Sequence, residues 1–221
     1  MIFSHNLFRI VYYNFRFLPF KQAVHFPIDV STRTIIKNNG RIVINAPLKR
    51  GMISIGFHGS DIFGLKRTIL ENKGTLQING GGIRIGTGSS LAIYQGGRLD
   101  LYQNVSLGAN TLLLCENQIV INENTCFSWD CQIMDTDTHS IKDLETGKFY
   151  NRYLPIFIGA NVWGGNHLII NKGTKIPQGT IIASLSLCNK DYLQLIPENS
   201  LIAGIPAVLK KTGVTKSGDK I

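Results

Sequence analysis

The sequence predicts an all-β protein, a parallel β-helix in which short strands wind around a three-sided prism. Three observations carry that prediction. Between residues 158 and 188 the aliphatic residues recur every six positions, which fits neither the two-residue period of a flat strand nor the 3.6-residue period of a helix. Gly and Asn punctuate the same stretch, as in "GAN", "NKG" and "PQG", and the whole chain holds 23 Gly against 7 Pro. Hydrophobic residues make up 43% and charged residues 17%, enough apolar material for a substantial core and too little charge for a disordered chain.

Steps of six from Ile158 reach Gly164, Ile170, Ile176, Ile182 and Cys188, and four positions after each of the first five stand Val162, Leu168, Thr174, Thr180 and Ser186. A strand-like step that ends in a tight turn forms one side of a triangle, and three steps close a rung. The first set is predicted to point into the prism and the second to fit its corners, with Gly or Asn tolerating the corner backbone. Upstream, Ile121, Phe127 and Ile133 keep the spacing. Earlier still two series fit equally, one through Ile93, Leu99 and Val105, the other through Leu101, Leu107 and Leu113.

In order, the expected elements are an N-terminal extension or cap over 1–39 and a coil over 40–190. The coil is interrupted by an excursion loop over 140–155, where "SIKDLETGKFYNRYL" has no hexads and several charges. A C-terminal cap and tail over 191–221 covers the last rung, its final polar residues expected to fray.

The 23 Lys and Arg exceed the 14 Asp and Glu by nine, a balance that attracts an anionic partner: a phosphorylated cofactor, an acidic membrane surface or a nucleic acid. Charge alone does not choose among these. The first thirty residues mix aromatics with Arg9, Arg16 and Lys21 and lack the uninterrupted apolar run of a signal peptide or a membrane span. Such a segment either packs on the rest of the protein or rests peripherally on an anionic membrane. Cys115, Cys126, Cys131 and Cys188 show no CxxC spacing and read as reduced, packed thiols of a cytoplasmic protein. His5, His25 and His58 have no partner in sequence.

Three motifs in order, "SWDCQIMDTDTHSI", "IGANVWGGNHLII" and "SLIAGIPAVLKK", give a resemblance over about residues 70–211 to a known family. It is the left-handed β-helix hexapeptide-repeat acyltransferases, in particular the maltose and galactoside O-acetyltransferases and the capsule or lipopolysaccharide O-acetyltransferases. The left hand is an implication of the resemblance, because crossovers between parallel strands usually turn the other way. The resemblance further implies acetyl-CoA as co-substrate, no metal, a sugar or glycan acceptor, no nucleic acid, and a homotrimer with active sites between subunits.

Acetyl transfer to a hydroxyl needs a base for its proton, and imidazole suits that task. His139, in "DTDTH", matches the family's catalytic histidine, and Asp137, two residues earlier in an extended stretch, would share its side and orient the ring. On the residues alone, Asp135, Asp137 and His139 could equally be polar corner residues or ligands sharing an ion. The resemblance places coenzyme A contacts at Trp163, at the backbone amides of Asn166 and Ser184, and at Asn189, Lys190 and Lys211, with Lys210 adjacent. It places acceptor contacts at Asn110 and Glu116. Two positions depart from the family pattern: Gly108 replaces an acceptor-binding Asn, with Asn110 two positions on, and Leu185 replaces a Gly beside the cofactor groove.

The function expected from this resemblance is acetyl-CoA-dependent O-acetylation of a sugar hydroxyl in bacterial surface polysaccharide or capsule biosynthesis. The alternatives are a noncatalytic hexapeptide scaffold or glycan-binding protein, and an N-acetyltransferase of an aminosugar.

Overall fold

A computed structural model of the chain describes residues 5–57 and 60–216. Among the described residues the parallel strands form three sheets that are the faces of one coil, a parallel β-helix. The first face runs through Ile28–Val30, Ile53–Phe57, Ile83–Gly86, Ser106–Leu107, Cys126–Phe127, Trp163–Gly164, Ile181–Ile182 and Ser200–Gly204. The second begins at Thr34–Asn38 and ends at Leu187–Cys188; the third begins at Arg41–Ile44 and ends at Lys175–Ile176.

Every hexad residue from Ile158 to Cys188 lies inside the prism, and Val162, Leu168, Thr174, Thr180 and Ser186 are buried at its corners. Thr174 Oγ1 donates to the Cys188 carbonyl at 2.9 Å and Ser186 Oγ to Ala183 O at 2.7 Å, so the small polar residues satisfy corner carbonyls that no strand reaches. Both upstream series also point inward. There the strands are longer, and each contributes two inward side chains at i and i+2, as with Leu99 and Leu101 or Leu91 and Ile93. Leu101 pairs with Ile121 and Ile158 with Ile176, so the rung shortens from twenty residues to eighteen along the coil.

The edges between faces are built from left-handed backbone. On the edge joining the third face to the first, Asn104, Asn124, Asn161 and Asn199 all have φ between 56° and 59°. Their amides stack, Asn104 Nδ2 donating to Asn124 Oδ1 at 3.0 Å and Asn124 Nδ2 to Asn161 Oδ1 at 3.2 Å. The first–second edge uses Gly88, Asn110, Asp130, His167 and Leu185 in the same conformation.

The coil starts at Ile28, within the stretch expected to be the N-terminal extension. Residues 28–38 alternate buried and accessible positions without hexads or glycines, so the six-residue signal is silent there. Among the described residues the two α-helices precede it: α1, Leu7–Phe17, and α2, Phe20–Ala23. Helix α1 starts at Asn6, whose side chain accepts from the Arg9 N–H, and buries Ile10, Tyr13 and Asn14 against the first rung. The Asn14 side chain accepts from Ile28 N at 3.0 Å and donates to Ile28 O at 2.8 Å, supplying the partner that the edge strand lacks. At the other end Ala207–Thr212 folds back antiparallel on Ser200–Gly204 and covers the last edge of the first face.

Candidate active site

The second–third edge gathers the candidate base and its neighbours. Successive rungs place there Glu116 after Leu112–Cys115, the segment from Asp135 after Gln132–Met134, Lys172 after Ile169–Asn171, and Asn189 and Lys190 after Leu187–Cys188. Asp135 turns inward, fully buried, and accepts from the backbone N–H groups of Glu116 at 2.7 Å and Asn117 at 2.8 Å. Burial pushes its carboxyl above the ordinary range, against the downward pull of those two donors. His139 is exposed and makes no hydrogen bond or ion pair among the described residues. Asp137 does not face it. Thr138 has φ +62°, so the backbone between the two is not extended and alternation does not apply, and the Asp137 carboxylate instead pairs with Lys172 Nζ. With Asp135 on amides and Asp137 on an ammonium, the three groups do not converge on a shared ion.

The excursion leaves the coil at Asp135 and rejoins it at Ile156. It is a hairpin, with antiparallel bridges between Thr136 and Tyr153 and between Lys142 and Phe149. Its tip turns at Gly147, where φ is +71° and the N–H donates to Asp143 O at 2.9 Å. Glu116 anchors its base: Arg152 grips the carboxylate with Nε at 3.0 Å and with Nη2, while Thr136 Oγ1 donates to it at 2.6 Å. Burial alone would raise the Glu116 carboxyl; the donors from Arg152 and Thr136 outweigh it and hold the group below the usual carboxylate range. The acidic residue matched to an acceptor contact is thus engaged in this chain by its own arginine.

The remaining residues lie elsewhere. Trp163 projects from the first face, a little over a third exposed, between Cys126 and Ile181 of the adjacent strands. It belongs to one outward row that crosses the face: Asp29, Ser54, Arg84, Ser106, Cys126, Trp163, Ile181, Leu201 and Lys211. Asn166 and Ser184 sit on successive rungs of the first–second edge, where the Asn166 N–H donates to Ser184 Oγ at 3.2 Å. The Asn166 amide is therefore occupied, whereas the Ser184 N–H has no acceptor among the described residues. Asn110 is a corner residue of the same edge, donating to Asp130 Oδ1 at 2.9 Å and accepting from Lys66 Nζ at 3.2 Å. Asn189, Lys190 and Lys211 are exposed.

Beside that edge the first face carries a groove of about 320 Å³, with Ser54, Arg84, Ser106 and Ser128 on its floor and Phe63 and Trp129 at its side. The two rings lie 5.6 Å apart and tilted at 50°. Phe63 comes from a second excursion, of which residues 60–67 are described; Lys66 N donates to Thr87 Oγ1 at 2.8 Å and ties it back to the coil. His58 lies outside the described residues. Burial raises the thiol of Cys131 to about 11 and that of Cys188 to about 12, and that of Cys115 higher still. His5, unpartnered in sequence, reaches Asp29 at 3.0 Å.

Parts of the chain match known proteins. The chain is 29% identical to the galactoside O-acetyltransferase of Escherichia coli K12 over 112 residues, 50% of this chain and 52% of that one. It is 32% identical to the galactoside O-acetyltransferase of Lactococcus lactis over 104 residues, 46% of this chain and 47% of that one. Over these stretches it is similar in sequence to galactoside O-acetyltransferases. The chain spans about half the length of these curated relatives. No protein-family model matches it. Among solved structures, the polySia-specific acetyltransferase NeuO aligns at a TM-score of 0.47 and 19% identity, covering 85% of this chain and 90% of that one. A galactoside acetyltransferase in complex with coenzyme A aligns at 0.39 and 16% identity, covering 92% and 77%.

Sequence reasoning overlooked Arg152 and Lys172, which hold Glu116 and Asp137 on the edge of the candidate base. Their partners lie 36 and 35 residues away, and no local pattern joins them. It also passed over Phe63, Arg84 and Trp129. Of these only Trp129 carried a signal, since it stands inside the first motif.

Proposed function

We propose that the protein is an O-acetyltransferase that moves acetyl from acetyl-CoA to a sugar hydroxyl in bacterial surface polysaccharide or capsule biosynthesis, working as a cytoplasmic homotrimer. One observation supports this reading above the rest: the two halves of the expected site lie on different edges of the prism. His139 stands on the second–third edge, whereas Asn166 and Ser184 stand on the first–second edge, with Trp163 on the first face. A second copy that sets its first–second edge against the His139 edge of the first completes the constellation. The free Ser184 N–H, the partly exposed Trp163 ring and the unpaired Lys190, Lys210 and Lys211 suit a long thioester that ends in phosphates.

In this reading His139 accepts the acceptor hydroxyl proton while the oxygen bonds to the thioester carbonyl carbon. The tetrahedral oxyanion is held by a backbone N–H, of which Ser184 offers the unoccupied one, and the carbon–sulfur bond then breaks. The proton returns from His139 to the departing sulfur, so no acyl-enzyme forms. The groove beside Phe63 and Trp129 suits the acceptor, since it combines aromatic faces with hydroxyls and the Arg84 guanidinium.

The test is release of free thiol from acetyl-CoA with a panel of sugars. Wild type should transfer to at least one, and His139→Ala should lower kcat by about 10²–10⁴ with little change in coenzyme A affinity. An ester product supports the assignment and an amide product gives it to an aminosugar N-acetyltransferase. Full turnover in His139→Ala removes the base. Failure to bind coenzyme A at all makes the coil a scaffold.

A further inference from the structure

We propose that the N-terminal end of the coil is a docking face for an anionic lipid bilayer. Helix α1 caps the first rung, yet its outer side is apolar too. Phe8, Val11, Tyr12 and Phe15, spaced i, i+3, i+4 and i+7, are exposed by 81%, 40%, 51% and 43%, and Phe20 follows at 72%. A helix that merely plugs the coil needs one apolar face, and Ile10 and Tyr13 already supply it. Among the described residues Phe15 meets the rings of Phe20 and Phe26, and the stripe otherwise stays open to solvent.

Charge identifies what it fits. Residues 1–50 hold eight Lys and Arg and a single acidic residue, Asp29, which His5 already engages. That quarter of the chain carries seven of the nine net positive charges. Arg16 and Lys21 flank the stripe, and Arg33, Lys37, Arg41, Lys49 and Arg50 are exposed around the first rung. An aromatic plate rimmed by cations of one sign is the pattern by which a helix lies in the headgroup layer of an acidic membrane. None of the described helices is long and apolar enough to cross a bilayer, so the face rests on the membrane surface. A protein partner would need a matching acidic socket around an apolar centre; a leaflet rich in anionic lipid presents both without a fixed shape. This face is on the opposite side of the molecule's chemistry from His139 in sequence and rung, and the inference stands whether or not the transferase reading holds.

The experiment is co-sedimentation of the full chain with vesicles of phosphatidylcholine alone and with one third phosphatidylglycerol. The protein should pellet with the anionic vesicles only, and less so as salt is raised. Each cation near such a surface is worth about fivefold in partitioning, so Arg16→Glu/Lys21→Glu should weaken binding more than about twentyfold. Phe8→Ser/Phe15→Ser should weaken it at least about tenfold even at low salt. All four side chains are exposed, so both variants should keep the wild-type melting midpoint and the wild-type thiol release with soluble acceptors. Absence of pelleting with either vesicle, or pelleting that both variants leave unchanged, overturns the proposal. A native mass that falls in Phe8→Ser/Phe15→Ser assigns the face to a second copy instead.

Discussion

Leu185 holds a backbone conformation that its side chain disfavours. Its φ is +61° on an edge where Gly, Asn and Asp do the same work, and its side chain is two-thirds exposed, so little packing repays the strain. A non-glycine residue in this region costs about 1–2 kcal/mol, and the extra freedom of glycine in the unfolded chain returns about 0.4–1 kcal/mol of that. Leu185→Gly should therefore be slightly more stable, raising the melting midpoint by about 2–4 °C per kcal/mol gained in a chain of this size. A midpoint that falls would show that the side chain contributes contacts. Asp135 is the reverse case. Both of its oxygens accept backbone N–H groups in a dry corner, so Asp135→Asn must turn an NH₂ toward a donor and should cost about 1–3 kcal/mol by denaturant titration. That Asp137 would turn to Lys172 and away from His139 was not legible in the sequence, because the positive φ of Thr138 leaves no trace in residue type.

Two ion pairs hold the base of the hairpin between Asp135 and Ile156, Asp137 with Lys172 and Arg152 with Glu116. The Glu116 carboxyl lies below its ordinary range when folded, so the pair contributes its full stabilisation above the unfolded value of about 4.3 and loses it as pH falls through the folded value. Protection against amide exchange across residues 140–150, corrected for the intrinsic rate at each pH, should fall below about pH 4 in the wild type. Arg152→Ala should show the faster exchange already at pH 7, with less further change on acidification. Equal exchange in both proteins at pH 7 would mean that the antiparallel bridges suffice. That a loop would leave the coil here was legible from the missing hexads and the run of charges. That it would be an ordered hairpin was not, since its anchor, Glu116, belongs to an earlier rung.

Across the whole molecule, stability passes from rung to rung. Ile170 is fully buried and stacks in register with Ile133 and Cys188, so Ile170→Ala should cost about 2–5 kcal/mol and loosen the rungs on both sides. Hydrogen exchange confined to the mutated rung would contradict that coupling. Light scattering should give three times 24.5 kDa for the assembled protein, and a monomer with full turnover would remove the shared site. The five hexads after Ile158 made this part of the coil readable from spacing alone. The first rungs were not, because their longer strands carry two inward rows and no corner glycines at fixed intervals. The coil also has a direction: a helix closes its basic end and a strand hairpin the other. His139 follows the second-face strand of the fifth rung, four steps from the first. At about 4.8 Å per step, a molecule standing on that end would hold the His139 imidazole roughly 20 Å above the lipid headgroups.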